Sequence, residues 1–259
     1  MKNFPLVCLS VLSAISPAIA DTLTSDEVAS CMRANLPEET SRQDITLASH
    51  DRAGGKRTVD GRLFWNHSEE QTATMLKIDG PRDLAGGAYL SLKKTSGDQL
   101  YMYIPGLNKV RRISGQSTSG QILGTDISYQ DLEYLQGLVA NNSVTVYGSD
   151  PIAGRDAWKL EIMPTNGDSG NYKRVESWVD KATCVSLKTD FYESDSKLRK
   201  TLVGNPETLT EIDSRWLLTE QTMTDLNEET NTVLTIHKIS YDPSISRQHF
   251  HKKRFFQVQ

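Results

Sequence analysis

The sequence has little of what most enzymes require. Its 259 residues include three cysteines and five histidines. No Gly-x-x-x-x-Gly-Lys-Ser/Thr phosphate loop occurs, and residues 115–120 miss the Gly-x-Ser-x-Gly pattern of serine hydrolases because Ser119 stands where the second glycine belongs. Apart from the pair His249 and His251, a weak metal signal, the histidines are scattered. We therefore expect neither enzymatic activity nor a metal or other cofactor.

Excess positive charge and long apolar runs are also lacking. Lysine and arginine number 29 against 33 aspartates and glutamates, so the net charge is -4 and the pI about 5.8. This balance supplies no surplus of cations for a phosphate backbone, and nucleic acid is not an expected partner. After residue 20, no run approaches the roughly 20 apolar residues that a transmembrane helix needs.

The first twenty residues have the pattern of a secretory signal peptide. Lys2 precedes an apolar run over residues 4–15, and Ala18-Ile19-Ala20 forms an A-x-A cleavage site. We expect cleavage after Ala20, export to the periplasm, and one mature domain over residues 21–259. Export leaves Cys31 and Cys184 in an oxidising compartment, where they form either a disulfide or two buried free thiols.

Two segments have helical patterns. Thr24 stands three residues before Glu27, a capping-box spacing that predicts an amphipathic helix over about residues 24–35. A second helix of about four turns is predicted from Gly124, with Asp126 or Ser128 capping its first amides.

Period-two alternation dominates the remainder of the chain and predicts about a dozen strands. They cover residues 42–52, 56–67, 70–79, 88–93, 100–104, the segment around Arg111, 156–163, 172–180, 184–193, 197–203, 214–226 and 230–241. Strands that follow one another without helices between them favour an antiparallel sheet. We predict a mainly β fold, a large antiparallel curved sheet that forms an incomplete, half-open β-barrel with a few helices as a lid on its concave side. The tail over residues 249–256 is either a last strand or a contact surface.

Apolar residues on one face of such strands would line a cavity inside the half-barrel, although the same residues also suit a dry core. The candidates are Met75, Leu90, Leu92, Leu100, Met102, Ile104, Leu123, Ile127, Trp158, Leu160 and Ile162.

Arg111 and Arg112 are consecutive on one predicted strand, so their side chains point to opposite faces. One hypothesis is that one of them pairs with Asp126 or Asp131 and holds the lid helix closed. The alternative is a pair of arginines on the sheet surface.

A resemblance to a known family rests on several of these segments. Tyr101-Met102-Tyr103-Ile104-Pro105-Gly106-Leu107, then residues 109–114, Gly120, residues 124–129 and Asp131-Leu132 resemble the signature segment of the bacterial outer-membrane lipoprotein-sorting family. These proteins are similar to the periplasmic lipoprotein carriers LolA and LolB. Residues 172–181, Phe191-Tyr192 and residues 197–200 extend the match over most of the mature chain.

The resemblance implies an unclosed β-barrel with a helical lid and an apolar cavity that accepts acyl chains. The expected function is that of a periplasmic carrier, which binds acyl chains of lipids or lipoproteins and passes them toward an outer-membrane acceptor. Family members are often paired with RND-type inner-membrane transporters, so an accessory subunit of such an exporter is the first alternative. An extracytoplasmic lipid-modifying hydrolase is the second.

Overall fold

The computed structural model describes residues 23–38, 40–68, 71–94, 97, 99–114, 120–129, 131–135, 143–163, 172–194, 196–242 and 244–258. The predicted signal peptide, the serine-rich segment over residues 115–119 and the end of the second predicted helix lie outside the described residues.

The first helix, α1 (Ser25–Ala34), confirms the capping-box prediction. Thr24 Oγ1 accepts a hydrogen bond from the Glu27 backbone amide at 3.3 Å, and Glu27 Oε2 accepts one from the Thr24 amide at 2.7 Å. These contacts satisfy two of the amides that a helix N-terminus leaves without partners. Val28, Ala29 and Met32 form the buried face of the helix. Among the described residues, no helix is long and apolar enough to cross a membrane.

Strands make up most of the fold. They are β1 (Ser41–His50), β2 (Lys56–His67), β3 (Gln71–Gly80), β4 (Ala88–Lys94), β5 (Gln99–Ile104), β6 (Lys109–Ile113), β7 (Ser143–Ser149), β8 (Ala157–Met163), β9 (Arg174–Asp180), β10 (Ser186–Ser194), β11 (Lys197–Gly204), β12 (Leu209–Ile212), β13 (Arg215–Leu218), β14 (Glu220–Asp225) and β15 (Thr230–Tyr241). The sequence prediction missed β7 and β12, and it read residues 214–226 as one strand, although β13 and β14 belong to different sheets.

Thirteen strands form one sheet in the order β6-β5-β4-β3-β2-β1-β15-β14-β11-β10-β9-β8-β7, while β12 and β13 form a separate two-stranded ribbon. Each neighbouring pair in the large sheet is antiparallel. Since β6 and β7 stand at the two ends of this order, the curved sheet is not closed. The predicted mainly β, half-open architecture is confirmed.

The sheet separates two apolar cores because alternate residues of a strand point to opposite faces. On the inner face, Leu63, Leu76 and Tyr89 belong to the larger cluster, together with Ile45 and Leu47 from the centre of the sheet. On the outer face, a second cluster contains Phe64, Ala73, Met75, Ala88, Leu90, Leu92, Phe250 and Phe255. We call these two surfaces the cavity face and the outer face.

The C-terminal segment covers the outer face. It contains a short 3-10 helix (Arg247–Phe250) followed by turns, and it forms no strand. Phe255 is fully buried in the outer cluster, and the Phe256 ring stacks on Tyr103 at a centroid distance of 4.0 Å. The His249 ring lies 4.6 Å from Phe64, and its burial lowers its pKa from the ordinary value. Of the two alternatives for this tail, the last strand is wrong; the tail instead packs against the outer face of its own sheet.

The prediction of a second helix from Gly124 is wrong over its first two turns. Residues 120–129 form a tight loop in which Gln121 and Ser128 make an isolated β-bridge. Leu123 and Gly124 both have positive φ, 57° and 74°, a conformation that ends a right-handed helix. The described part of the helix, α2 (Asp131–Leu135), begins later. Ser128 Oγ accepts a hydrogen bond from the Asp131 amide at 3.2 Å, so Ser128 does act as a cap.

Candidate functional site

A cavity of about 160 Å³ lies between the cavity face of the sheet, α1 and the loop that leads into α2. By the same measure a single water molecule needs only ~10–15 Å³, so the space suits a larger molecule. Its wall is mostly aliphatic and aromatic. The lining side chains are Met32, Asn35, Leu36, Pro37, Ser41, Gln43, Ile45, Leu47, Leu63, Trp65, Leu76, Ile122, Ile127, Tyr134, Leu135, Cys184, Val185, Ser186, Leu202, Trp216, Leu217, Leu218, Gln221, Leu234, Ile236, Ile239 and Tyr241.

A disulfide fastens α1 over one side of this cavity. Cys31 on the helix is bonded to Cys184 in the turn after β9, with a Cα–Cα distance of 5.7 Å. Just beyond the helix, Asn35 Nδ2 donates to the Thr183 carbonyl at 2.8 Å, and Asn35 Oδ1 accepts from the Trp216 amide at 2.9 Å. The disulfide is therefore the correct one of the two alternatives for the cysteines. It holds α1, which forms part of the cavity wall through Met32.

The turn that carries Cys184 is organised by one buried carboxylate. Asp180 is 1 % exposed and receives two hydrogen bonds from the Arg155 guanidinium, at 2.8 and 2.9 Å. It also accepts from the amide and the hydroxyl of Thr183, at 3.0 and 2.7 Å. Burial alone would raise the pKa of Asp180, but the hydrogen bonds from Arg155 and Thr183 hold that pKa below its usual range.

On the side of the cavity away from the disulfide, buried ionic contacts hold the loop leading into α2 against the sheet. Lys200 on β11 donates from Nζ to Asp131 Oδ2 at 2.9 Å and to the Asp126 carbonyl at 2.7 Å. Asp131 is fully buried and also accepts from the Tyr172 hydroxyl at 2.8 Å and the Ser128 amide at 2.8 Å. Burial, with the adjacent Asp131 charge, raises the pKa of Tyr172 far above its ordinary value. Tyr172 therefore remains a hydrogen-bond donor.

Asp126 forms a second attachment of the same loop. Its carboxylate accepts from the Thr232 hydroxyl at 2.7 Å and from the Thr230 hydroxyl, both on β15. Its backbone amide donates to Thr232 Oγ1 at 2.9 Å. We call Lys200, Asp131, Tyr172, Asp126 and Thr232 the buried polar cluster. Because every member is hydrogen-bonded, the cluster can specify one position of the loop without leaving a buried polar group without a partner.

The structure corrects the predicted pairing of the arginines with these aspartates. Lys200 and Tyr172 occupy the carboxylate of Asp131, and threonine hydroxyls occupy that of Asp126. Arg111 and Arg112 are both exposed on β6, and among the described residues neither forms an ion pair with Asp126 or Asp131. They do lie on opposite faces, since Arg111 is opposite Met102 and Arg112 is opposite Tyr101.

The predicted lining residues are divided between five places, which are the cavity wall, the rest of the cavity-face cluster, a cluster around α1, the outer face and the edge of the sheet. Ile127 lines the cavity, while Leu100, Met102, Leu123 and Ile162 pack in the cluster on the cavity face without lining this space. Leu160 and Trp158 pack with α1 in a third cluster.

Met75, Leu90 and Leu92 belong to the outer face instead, where the C-terminal segment covers them. Ile104 is half-buried opposite Lys109, near the edge of the sheet. The prediction was wrong for Met75, Leu90 and Leu92 because β3 and β4 are apolar on both faces. Alternation alone does not say which of the two faces encloses a cavity.

Sequence reasoning missed most of the cavity wall, including Ser41, Leu63 and Trp65. These residues lie on β1 and β2, where Ser41 is opposite Trp65 and Gln43 is opposite Leu63. The alternation of Ile45 and Leu47 with polar residues was the available signal, because one-sided alternation identifies a strand with a single buried face.

Solved structures share this architecture. A DUF1329 family protein from Desulfovibrio piger superposes with a TM-score of 0.80 at 24% identity, covering 86% of this chain and 94% of its own. A putative outer membrane lipoprotein-sorting protein domain from Vibrio parahaemolyticus gives a TM-score of 0.80 at 25% identity, covering 89% and 97% of the two chains. A LolA superfamily protein from Nitrosomonas europaea gives 0.68 at 16% identity, covering 90% and 99%.

A family model described as an uncharacterized protein family matches residues 70–256. The chain belongs to this family, and its fold is LolA-like. No curated protein matches the chain significantly. The family match includes β3 through the C-terminal segment, and therefore both the buried polar cluster and the covered outer face. This LolA-like protein thus has the fold of lipoprotein-sorting proteins, and its cavity occupies the inner face of that fold.

Proposed function

We propose that this LolA-like protein is a periplasmic carrier that binds the acyl chains of lipids or lipoproteins in the cavity and carries them toward the outer membrane. The observation that carries the proposal is the cavity itself, an aliphatic space between the sheet and a helix fastened by a disulfide. Such a wall can hide hydrocarbon from water with little polar specificity.

The need for a carrier follows from the hydrophobic effect. Moving a 16-carbon acyl chain into water costs on the order of 0.8 kcal/mol per methylene, roughly 12 kcal/mol in all. An aqueous compartment between two membranes therefore requires a protein that covers such a chain. The similarity to a putative lipoprotein-sorting domain of Vibrio parahaemolyticus supports lipid or lipoprotein cargo, and the signal-peptide pattern supports export.

Native mass spectrometry tests the proposal. The full chain is expressed with its own leader in a Gram-negative host and purified from the periplasm without detergent. We expect a lipid adduct on the wild-type protein. Leu63→Trp, which fills the cavity from a buried position on β2, should remove that adduct, whereas Val203→Trp at an exposed position of β11 should keep it.

The same preparation addresses the alternative functions. If the folded protein never carries lipid but co-purifies with an inner-membrane transporter, its function is that of an accessory subunit of an RND-type exporter and not that of a carrier. Chemical conversion of the bound lipid would instead indicate a lipid-modifying hydrolase. The direction of transfer is measured by incubating lipid-loaded protein with outer-membrane vesicles and following the loss of the adduct.

A further inference from the structure

Two polar atoms in the cavity wall have no hydrogen-bond partner among the described residues. They are Ser41 Oγ and Trp65 Nε1, on side chains that are 1 % and 3 % exposed. Both residues line the cavity, and they face each other as partners of β1 and β2. A buried polar group that lacks a partner disfavours the fold unless another molecule supplies one. Two such groups, on directly opposite residues of one cavity wall, point to a ligand atom that bonds to both.

The chemistry of this pair indicates an acceptor. An indole N–H can only donate, and a serine hydroxyl can donate as well as accept. On the other side of Ser41, its β15 partner Tyr241 also lines the cavity. The Arg215 guanidinium lies 5.2 Å from the centroid of the Tyr241 ring, and among the described residues it forms no ion pair. Hydrogen-bond donors therefore lie at the Ser41 end of a mostly apolar wall, and the positive charge of Arg215 lies beside that end, next to the Tyr241 ring.

The position of the pair gives the bound molecule a direction. Ser41, Gln43, Ile45 and Leu47 follow one another on the cavity face of β1 and all line the cavity. This row is about 20 Å long at ~3.3 Å per residue, about a third longer than one bilayer leaflet at half of ~30 Å. The Leu47 end of this row lies near the loop held by Asp126. Ser49, the next residue but one on β1, is opposite Thr232 of β15, and the Thr232 hydroxyl donates to Asp126.

We propose that Ser41 and Trp65 bind the carbonyl oxygen at the head of an acyl chain, whose hydrocarbon tail lies along Ile45 and Leu47 toward the loop leading into α2. This inference rests on the proposed carrier function and adds a polar subsite to it. A fatty-acid carboxylate and an ester or amide carbonyl share the required acceptor oxygen. Arg215 favours the carboxylate when the head group is charged.

Competition binding with matched ligands tests the subsite. The assay measures how much dodecanoate, methyl dodecanoate or dodecane is needed to displace the fluorescent probe 1-aminoanthracene. It is carried out on the wild-type protein and on three variants, Ser41→Ala, Trp65→Phe and Trp178→Phe. Trp178 on β9 stands outside the cavity, so it is the matched control for loss of an indole. We expect Ser41→Ala and Trp65→Phe each to weaken binding of the carbonyl ligands about 10-fold, the net worth of one hydrogen bond. Binding of dodecane should not change.

The fold should tolerate both changes, because neither atom has a partner to lose, and thermal unfolding by circular dichroism checks this. An Arg215→Gln variant distinguishes a fatty-acid carboxylate from an ester or amide carbonyl as the natural ligand. If the subsite binds a carboxylate, this variant loses affinity for dodecanoate; if it binds an ester, the affinity for dodecanoate does not change. The subsite is overturned if folded Ser41→Ala and Trp65→Phe bind the carbonyl ligands as the wild type does, or lose affinity for dodecane equally. Failure of the wild type to bind any of the three ligands would overturn the carrier function itself.

Discussion

Replacement of Lys200 by methionine should be among the most damaging single changes in this protein. Lys200 is 5 % exposed, and its ammonium supplies two contacts, 2.9 Å to Asp131 and 2.7 Å to the Asp126 carbonyl. Without it, the fully buried Asp131 keeps only neutral donors, the Tyr172 hydroxyl and the Ser128 amide. Removing one partner of a buried ion pair costs about 3–5 kcal/mol because the remaining charge stays desolvated. The two surviving donors place the expected loss at about 3 kcal/mol, a large part of a typical folding free energy.

Urea unfolding with linear extrapolation measures this loss, and hydrogen exchange over residues 120–135 reports whether the loop has left the sheet. The control is Arg57→Met, which breaks an exposed ion pair with Asp83 at 3.1 Å and should cost less than about 1 kcal/mol. A double variant, Lys200→Met with Asp131→Leu, should recover much of the stability because it also removes the Asp131 charge that Lys200→Met alone leaves unpaired. The reasoning is refuted if Lys200→Met costs no more than Arg57→Met, or if exchange in the loop is unchanged.

Three further predictions concern the elements around the cavity. Reduction of the Cys31–Cys184 disulfide, which closes a separation of 153 residues, should lower the free energy of unfolding by as much as about 5 kcal/mol, measured by urea titration with and without reductant. Because the pKa of folded Asp180 is lowered, its stabilisation is fully present above the ordinary value of 3.8 and is lost as the pH falls through the folded-state pKa; Asp180→Asn should therefore destabilise at pH 7, and its difference from the wild type in thermal melts should shrink as the pH falls below 3.8. Thr24→Ala removes the α1 cap and should cost about 0.5–2 kcal/mol by the same melts, and a change near zero would contradict the capping contribution.

Local patterns were sufficient wherever the structure depends on neighbours in sequence. The capping box at Thr24 predicted α1 within one residue of its observed start, because both of its hydrogen bonds join residues three positions apart. Alternation with few intervening helices predicted an antiparallel sheet, since adjacent strands need only short turns. Residues 120–129 show the limit of such patterns. Their helical spacing was real, but contacts of Asp126 with β15, 106 residues away, favour the loop.

The sequence by itself therefore determined the class of the fold, its antiparallel connections and the helix that carries Cys31. Tertiary structure decided which face of the sheet encloses a cavity. Met75 and Leu76 are equally apolar neighbours, yet Leu76 lines the cavity and Met75 lies under the C-terminal segment. Alternation separates the two faces of a strand, but only the packing of distant segments determines what covers each face. The same reason explains why Asp131 pairs with Lys200, 69 residues away, instead of an arginine close to it in sequence.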